Sequence, residues 1–322
     1  MRPVICFGEA LIDFLNTGGD RDGPLTLPTY RQYPGGAPAN ASVAIAKLGG
    51  NALFAGQIGD DAFGTFIRAA LDEYGVDTRF LATHPTAKTA LAFVLLDKDG
   101  DRSFAFHRDQ TADTVFRKEQ IDSDWFAGQP IFHFCSNTLT DRAIADVTQH
   151  AITLAAAAGA TISFDINLRH NLWPDNAADR DQVTACVHRA HLLKFASEEL
   201  DYLANGKPQD YLQRCIDNGA QLIVVTDGGA PIHFVTAADT GYVDCPAVKA
   251  VDTTAAGDAF SGALLYGLSR ADSLAALIHQ PHQLSALLNF ALHCSALTVT
   301  RPGAFPALPT FDEVESHWKD LS

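Results

Sequence analysis

The feature that most restricts this chain is a repeating cycle: a short apolar run, a loop, then a helix-patterned segment that stops at glycine. Val4 to Phe7, Pro130 to Cys135, Thr161 to Phe164 and Leu222 to Val225 have the length and apolar character of buried strands. Phe63 to Tyr74 and Asp141 to Ala158 read as helices and end at Gly75 and Gly159, residues that tolerate the left-handed turn closing a helix. Strands separated by helices need crossover connections, which build a mostly parallel sheet covered on both faces. The reading is a doubly wound α/β fold. A chain of 322 residues has room for two domains or one large unit. No linker, internal repeat or low-complexity tract divides it, so one domain spanning residues 1–322 is expected.

One stretch breaks the cycle. Thr89 to Leu96 and Ser103 to Arg108 are strand-like runs joined by the polar segment Asp97 to Arg102, which contains Gly100. That arrangement predicts an antiparallel hairpin, with Phe104, Phe106 and Arg108 on one face. With Pro24 to Tyr33 it would form a small sheet outside the main one, a lid built from about residues 14–34 and 88–110. The exposed edges of such a sheet offer a contact for a homodimer.

Charge narrows the partners. Lys and Arg number 23 against 38 Asp and Glu, a formal charge of −15, and no Lys/Arg run occurs. Nucleic acids and anionic membrane surfaces are therefore not expected partners, because both need a basic patch. An anionic ligand must instead be met locally, by a helix N-terminus, a few arginines or a bridging metal. No apolar run approaches the ~18 residues of a membrane span, and Met1-Arg2-Pro3 leads into a strand rather than a signal peptide. Cys6, Cys135, Cys186, Cys215, Cys245 and Cys294 lie far apart without a CxxC pair, several of them in apolar runs. They read as buried thiols in a reducing cytoplasm. No HExxH occurs, and His188 and His191 read as a half-exposed helix face.

Two segments carry chemistry. In Asp252-Thr253-Thr254-Ala255-Ala256-Gly257-Asp258, small residues fill a turn before a helix-forming run that begins around Asp258. Such a turn lets backbone N–H groups at a helix N-terminus close on an anion. Asp258 reads as a helix cap or as a base that takes a hydroxyl proton during phosphoryl transfer. The run by itself leaves both open. In Gly35-Gly36-Ala37-Pro38-Ala39-Asn40-Ala41-Ser42, paired glycines permit close backbone approach to a ligand, and Asn40 offers an amide. A plain Gly-Pro turn with an Asn cap is the alternative. Neither GxxxxGK[ST] nor GxGxxG occurs.

Together these segments resemble the paired signatures of the ribokinase-like sugar kinase (PfkB) family. The first runs from Gly35-Gly36 through Asn40 and Ser42 to Gly49 and Gly59, the second from Asp252 to Ala263. The likeness extends from Gly8-Glu9-Ala10-Leu11-Ile12-Asp13 to Arg301-Pro302-Gly303-Ala304. It implies a ribokinase-like fold and transfer of the γ-phosphoryl of Mg-ATP to a sugar hydroxyl. By the same resemblance Asp258 is the catalytic base, Ala256 and Gly257 form the anion hole, and Asp13, Gly35, Gly36 and Asn40 bind sugar hydroxyls. Arg169, in Phe164 to Arg169 ahead of Leu172-Trp173-Pro174, looks like a fructokinase-type arginine reaching toward phosphates or substrate. Arg108 matches a lid arginine that closes on the sugar.

The nucleotide side carries departures. Thr226-Asp227-Gly228-Gly229 resembles the family's Thr-x-Gly turn beside ATP, although Ala230-Pro231 displace the later glycine. Thr226 and Gly228, with Ala256 and Gly257, would meet ATP, and Asn289 matches a position near the adenine pocket. Of the family's Asn-x-x-Glu magnesium motif, Ala196-Ser197-Glu198-Glu199 keeps only Glu199. Asp252, Thr254 and Gly303 match positions whose carbonyls hold potassium in the family. Ala255 stands where glycine is commoner. Ile12-Asp13-Phe14, Arg102-Ser103-Phe104, Arg108, Asn167, Arg169 and Trp173 together look fructokinase-like. Kinases of 2-keto-3-deoxygluconate nearly share them, other ribokinase-like sugar or nucleoside kinases are the wider alternative, and a non-catalytic sugar sensor is the rival from another class.

Overall fold

The computed structural model describes residues 1–96 and 102–318. The hairpin turn read at Asp97 to Asp101 lies outside the described residues. The strands are β1 (Val4–Phe7), β2 (Leu11–Asp22), β3 (Leu25–Gly35), β4 (Ala52–Gly59), β5 (Asp77–His84), β6 (Leu91–Leu96), β7 (Arg102–His107), β8 (Ile131–Cys135), β9 (Thr161–Asp165), β10 (Leu192–Ala196), β11 (Leu222–Thr226), β12 (Ile232–Val235) and β13 (Thr240–Val243). The helices are α1 (Ala37–Lys47), α2 (Ala62–Glu73), α3 (Arg142–Ala157), α4 (Arg180–Val187), α5 (Ser197–Ala204), α6 (Pro208–Asp217), α7 (Ala256–Arg270), α8 (Leu274–Ile278), α9 (Pro281–Thr298) and α10 (Phe311–Val314).

Among the described residues the main sheet has nine strands in the order β13-β12-β11-β10-β9-β8-β1-β4-β5. It is parallel from β11 to β5, and the β11–β12 and β12–β13 pairs at its other edge are antiparallel. The central strands β1, β4 and β8 are buried along their whole length, as a sheet covered on both faces requires. Alternation along β1 shows the two layers: Val4 and Cys6 join a core with α1, α7 and α9, while Ile5 and Phe7 join one with α3, α4 and α6. The glycine stops are real. Gly75 and Gly159 take positive φ values of 78° and 73° just after α2 and α3, and Asp61, Asp141 and Asp179 cap the N-termini of α2, α3 and α4.

The small sheet has the order β3-β2-β6-β7. Its β2–β3 and β6–β7 pairs are antiparallel, and β2 meets β6 in parallel because the chain passes through α1, β4, α2 and β5 between them. Phe14 of β2 stacks on Phe93 of β6 at 5.0 Å and meets Phe63 of α2 edge-on at 5.8 Å. Asp61 ties the root of this sheet to the body: its carboxylate accepts from Gly64 N in α2 and from both the N–H and the hydroxyl of Thr89, each at 2.9 Å.

Candidate active site

In doubly wound sheets ligands bind outside the carboxyl ends of the strands. Here those ends open into a cleft of 430 Å³. Glu9 follows β1, Asn137 follows β8, Asn167 and Arg169 follow β9, Ala196 ends β10 and Thr226 ends β11; Leu11, Asp13 and Phe106 come from the small sheet. The N-terminus of α7 completes the wall with Ala256, Gly257 and Asp258.

The helix α7 starts two residues earlier than the sequence run suggested. Ala255 is its N-cap in a left-handed conformation, φ 59° and ψ 11°, which costs a residue with a Cβ about 1 kcal/mol. That conformation explains why glycine suits this position better. The Asp252 carboxylate accepts from Thr254 N at 2.8 Å and from Gly303 N at 2.9 Å, holding the turn's two flanks together. Ala256 and Gly257 therefore stand on the cleft wall at the start of a 15-residue helix, where the N–H of Ala256 donates to Thr253 O at 3.3 Å within the turn.

Asp258 is the third residue of α7, and its recorded partner is not a backbone cap. Asn40 Nδ2 donates to its Oδ2 at 2.7 Å across 218 residues of sequence. Asn40 is likewise no cap, since Gly36 holds that position of α1. Burial pushes the Asp258 carboxyl up to about 6; Asp165 adds to the rise, and Asn40, Lys194 and Arg169 oppose it. Asp13 rises to about 7, through burial first and then the nearby Asp258 and Asp252 charges, against Arg169. Gly35 must lack a side chain here, because a Cβ on it would lie 2.1 Å from Asp13 Oδ2. At Gly36, φ is 104° and a Cβ would lie 2.5 Å from Glu9 O. Two carboxamide oxygens near the cleft, Asn40 Oδ1 and Asn137 Oδ1, are buried without a hydrogen-bond partner.

A pfkB family carbohydrate kinase model matches residues 1–310. This chain belongs to that family. A curated relative, probable fructokinase-7 of Arabidopsis thaliana, is 37% identical over 316 residues, covering 97% of this chain and 91% of the relative. The structure of a Xylella fastidiosa fructokinase with bound ATP superposes with a TM-score of 0.91 at 43% identity, covering 98% of this chain and 97% of that one. A fructokinase double mutant from Vibrio cholerae O395, in a form with fructose, ADP and potassium bound, gives 0.88 at 34% identity and covers 99% of both chains.

Several residues of this pfkB kinase sit differently from the roles the family likeness implied. Arg108 lies outside the cleft wall. Its Nε donates to Asp113 at 2.6 Å and its terminal nitrogens to Thr140 Oγ1 and Asn137 O, all in a buried network at the foot of β7. Asn289 is also absent from the wall; Leu292 and Ser295 of the same helix line it instead. Thr226 and Gly228 do line it, Gly228 at φ 52°. Glu199 reaches the wall, but its Oε1 accepts from Leu168 N at 2.7 Å and its Oε2 from Ala196 N at 2.8 Å. Both oxygens are thus occupied as a clamp between β10 and the segment after β9. Replacing Glu199 by Ala should lower the unfolding free energy by about 2 kcal/mol, read by urea denaturation, with half-saturation by Mg²⁺ unchanged. A Mg²⁺ requirement shifted tenfold at intact stability would return Glu199 to the metal.

Sequence reasoning passed over three groups that the structure brings to the cleft: Glu9, Asn137 and Lys194. Glu9 accepts from Ala37 N at 3.1 Å and from Asn137 Nδ2 at 2.9 Å. Lys194, in an otherwise apolar run, pairs with Asp165 on the neighbouring strand. A lysine among apolar strand residues was the available signal.

Proposed function

We propose that this pfkB kinase is an ATP-dependent fructokinase, moving the γ-phosphoryl of ATP to the terminal hydroxyl of fructose. The observation that carries the reading is Asp258: a carboxylate in the first turn of α7, beside the anion turn and aligned by Asn40. A carboxylate titrating near 6 is a stronger base than an ordinary one and is still ionised at neutral pH. It takes the hydroxyl proton while that oxygen attacks phosphorus in line, and the Ala256 and Gly257 N–H groups with Arg169 meet the charge spread over the transferring group. Asp13 accepts from adjacent sugar hydroxyls, and the orphan oxygens of Asn40 and Asn137 are acceptors awaiting such donors. Closure of the small sheet over the sugar would exclude water and suppress ATP hydrolysis.

Among the described residues no group of three or more His, Cys, Asp or Glu is placed to hold a metal ion. Mg²⁺ would enter on the triphosphate, where it would neutralise phosphate charge; of the two acidic residues that α5 adds to the wall, Glu199 is clamped by Leu168 N and Ala196 N, which leaves Glu198 as the one to face it. Potassium would bind carbonyls beside Asp252, Thr254 and Gly303, a junction already fixed by the Asp252 hydrogen bonds. No helix among the described residues is long and apolar enough to cross a membrane. The six free cysteines suit a reducing compartment, the cytoplasm in this proposal. The outer strands β3 and β7 remain the proposed homodimer contact.

The test is ADP release measured with fructose, glucose, ribose, adenosine and 2-keto-3-deoxygluconate. Fructose is expected to give the highest kcat/KM, and K⁺ to raise kcat over a bulky organic cation with less change in sugar KM. Preference for the sugar acid by tenfold would replace fructose, and no turnover on any of them would leave a sensor.

A further inference from the structure

Trp173 belongs to the fructokinase-like segment read in the sequence, yet it stands outside the catalytic cleft. It lines a second cavity, of 760 Å³, that shares no residue with that cleft. The cavity lies between the N-terminal halves of α3 and α4 and the segment that joins β9 to α4. Trp173 is 5% exposed, and its Nε1 is buried without a hydrogen-bond partner. A buried donor left unpaired is costly and uncommon, and an acceptor supplied by a ligand would remove the cost. The backbone beside it is strained as well. Asp175 and Asn176, successive residues that carry a Cβ, take left-handed φ values of 57° and 53°. Pro174 and Ala177, on either side of that kink, line the cavity.

The lining selects a ligand. Trp173, Leu139 and Ala145 give the cavity apolar surface, and Asp146, Gln182 and Thr140 add polar groups that bond hydroxyls. Among the described residues of the lining, Arg142 is the one cation against the carboxylates of Asp146 and Asp179. A sugar phosphate or a nucleotide is therefore disfavoured. An aromatic face among carboxylate and amide groups suits a neutral sugar, whose C–H face packs on the ring while its hydroxyls both donate and accept. We propose that this cavity is an effector site for a neutral sugar, seated on Trp173 and distinct from the site of phosphoryl transfer. Two connections carry its occupancy to the catalytic cleft. Thr140 Oγ1 accepts from Arg108 Nη1 at 3.1 Å and donates to Asn137 O at 3.1 Å, and Asn137 lines the cleft. On the other wall, Trp173 follows Arg169 of the cleft by one short turn, His170–Leu172.

The probe is sucrose, a neutral sugar, titrated calorimetrically into the full chain without ATP. Saturable binding of one sucrose per chain is expected for wild type and equally for Asp13→Ala, which weakens the catalytic sugar site. Asp146→Ala, at an exposed position on α3, should keep wild-type melting and basal kcat. It should bind sucrose about tenfold more weakly, from loss of a charged hydrogen bond. Trp173→Phe keeps an aromatic ring, removes the N–H, and should weaken sucrose about fivefold. In assays with fructose and ATP, saturating sucrose should shift the wild-type fructose KM about twofold or more and leave that of Asp146→Ala unmoved. Absence of saturable binding to wild type overturns the proposal. So does binding lost in Asp13→Ala, which would put sucrose in the catalytic cleft. A KM shift that persists in Asp146→Ala is competition at the catalytic site, and no shift at all denies an effector; either result also overturns it. The titration needs no turnover, so a chain inactive on fructose would fail the fructokinase reading while sucrose binding still decides this site.

Discussion

Asp258→Asn is expected to keep the fold and substrate binding while lowering kcat by about 10²- to 10⁴-fold, the usual worth of a positioned base. Asparagine keeps an oxygen to accept from Asn40 Nδ2, so the 2.7 Å contact survives, yet it cannot take a proton. The wild-type rate should fall as pH drops through about 6, because the base must be ionised and its carboxyl is raised to that value. The stability effect has the opposite sense. With a folded pKa above the unfolded one, the folded state holds the proton more tightly, and the carboxyl's contribution to stability is lost as pH rises from about 4 to 6. The asparagine variant avoids that loss and should be no less stable than wild type at pH 7. A variant keeping a third of wild-type kcat would reduce Asp258 to a structural residue.

Asp13→Ala is expected to raise the fructose KM about 10- to 150-fold while ATP affinity stays near wild type, from losing charged hydrogen bonds worth about 1.5–3 kcal/mol. The side chain is held from below: β2 pairs with β3 at Asp13 and Tyr33, and Gly35 closes on Asp13 Oδ2 with no atoms to spare. Arg169 lowers the Asp13 carboxyl, so the two charges sense each other across the cleft. Separate titrations with sugar and nucleotide decide it. Weakened ATP binding with an unchanged sugar KM would place Asp13 on the wrong substrate.

What the sequence made legible follows from how local each signal is. Alternation in β1, aspartate caps and glycine stops act over a few residues, and the two-layered sheet follows from them. Asp258 and Asn40 were each visible as candidates in their own small-residue turns, although their 2.7 Å contact needed the fold. Lys194 was not legible, because its partner Asp165 becomes a neighbour only once β9 and β10 are in register. Asn289 lies off the cleft wall for a related reason: which face of α9 turns to the cleft is set by its packing, and Leu292 and Ser295 occupy it. Glu199 and Arg108 are ionic residues whose atoms are taken by the scaffold, a commitment that residue type alone does not reveal.

The Asp252 carboxylate has a consequence for the order in which the molecule is made. It fastens Thr254 to Gly303, and at Gly303 a Cβ would fall 2.6 Å from the ring of Tyr33 on β3. The anion turn is therefore secured by Tyr33, Asp252 and Gly303, which lie far apart in the sequence. Until Gly303 has been synthesised, a nascent chain carries Asp258, Asn40 and Asp13 without the strut that fixes the turn.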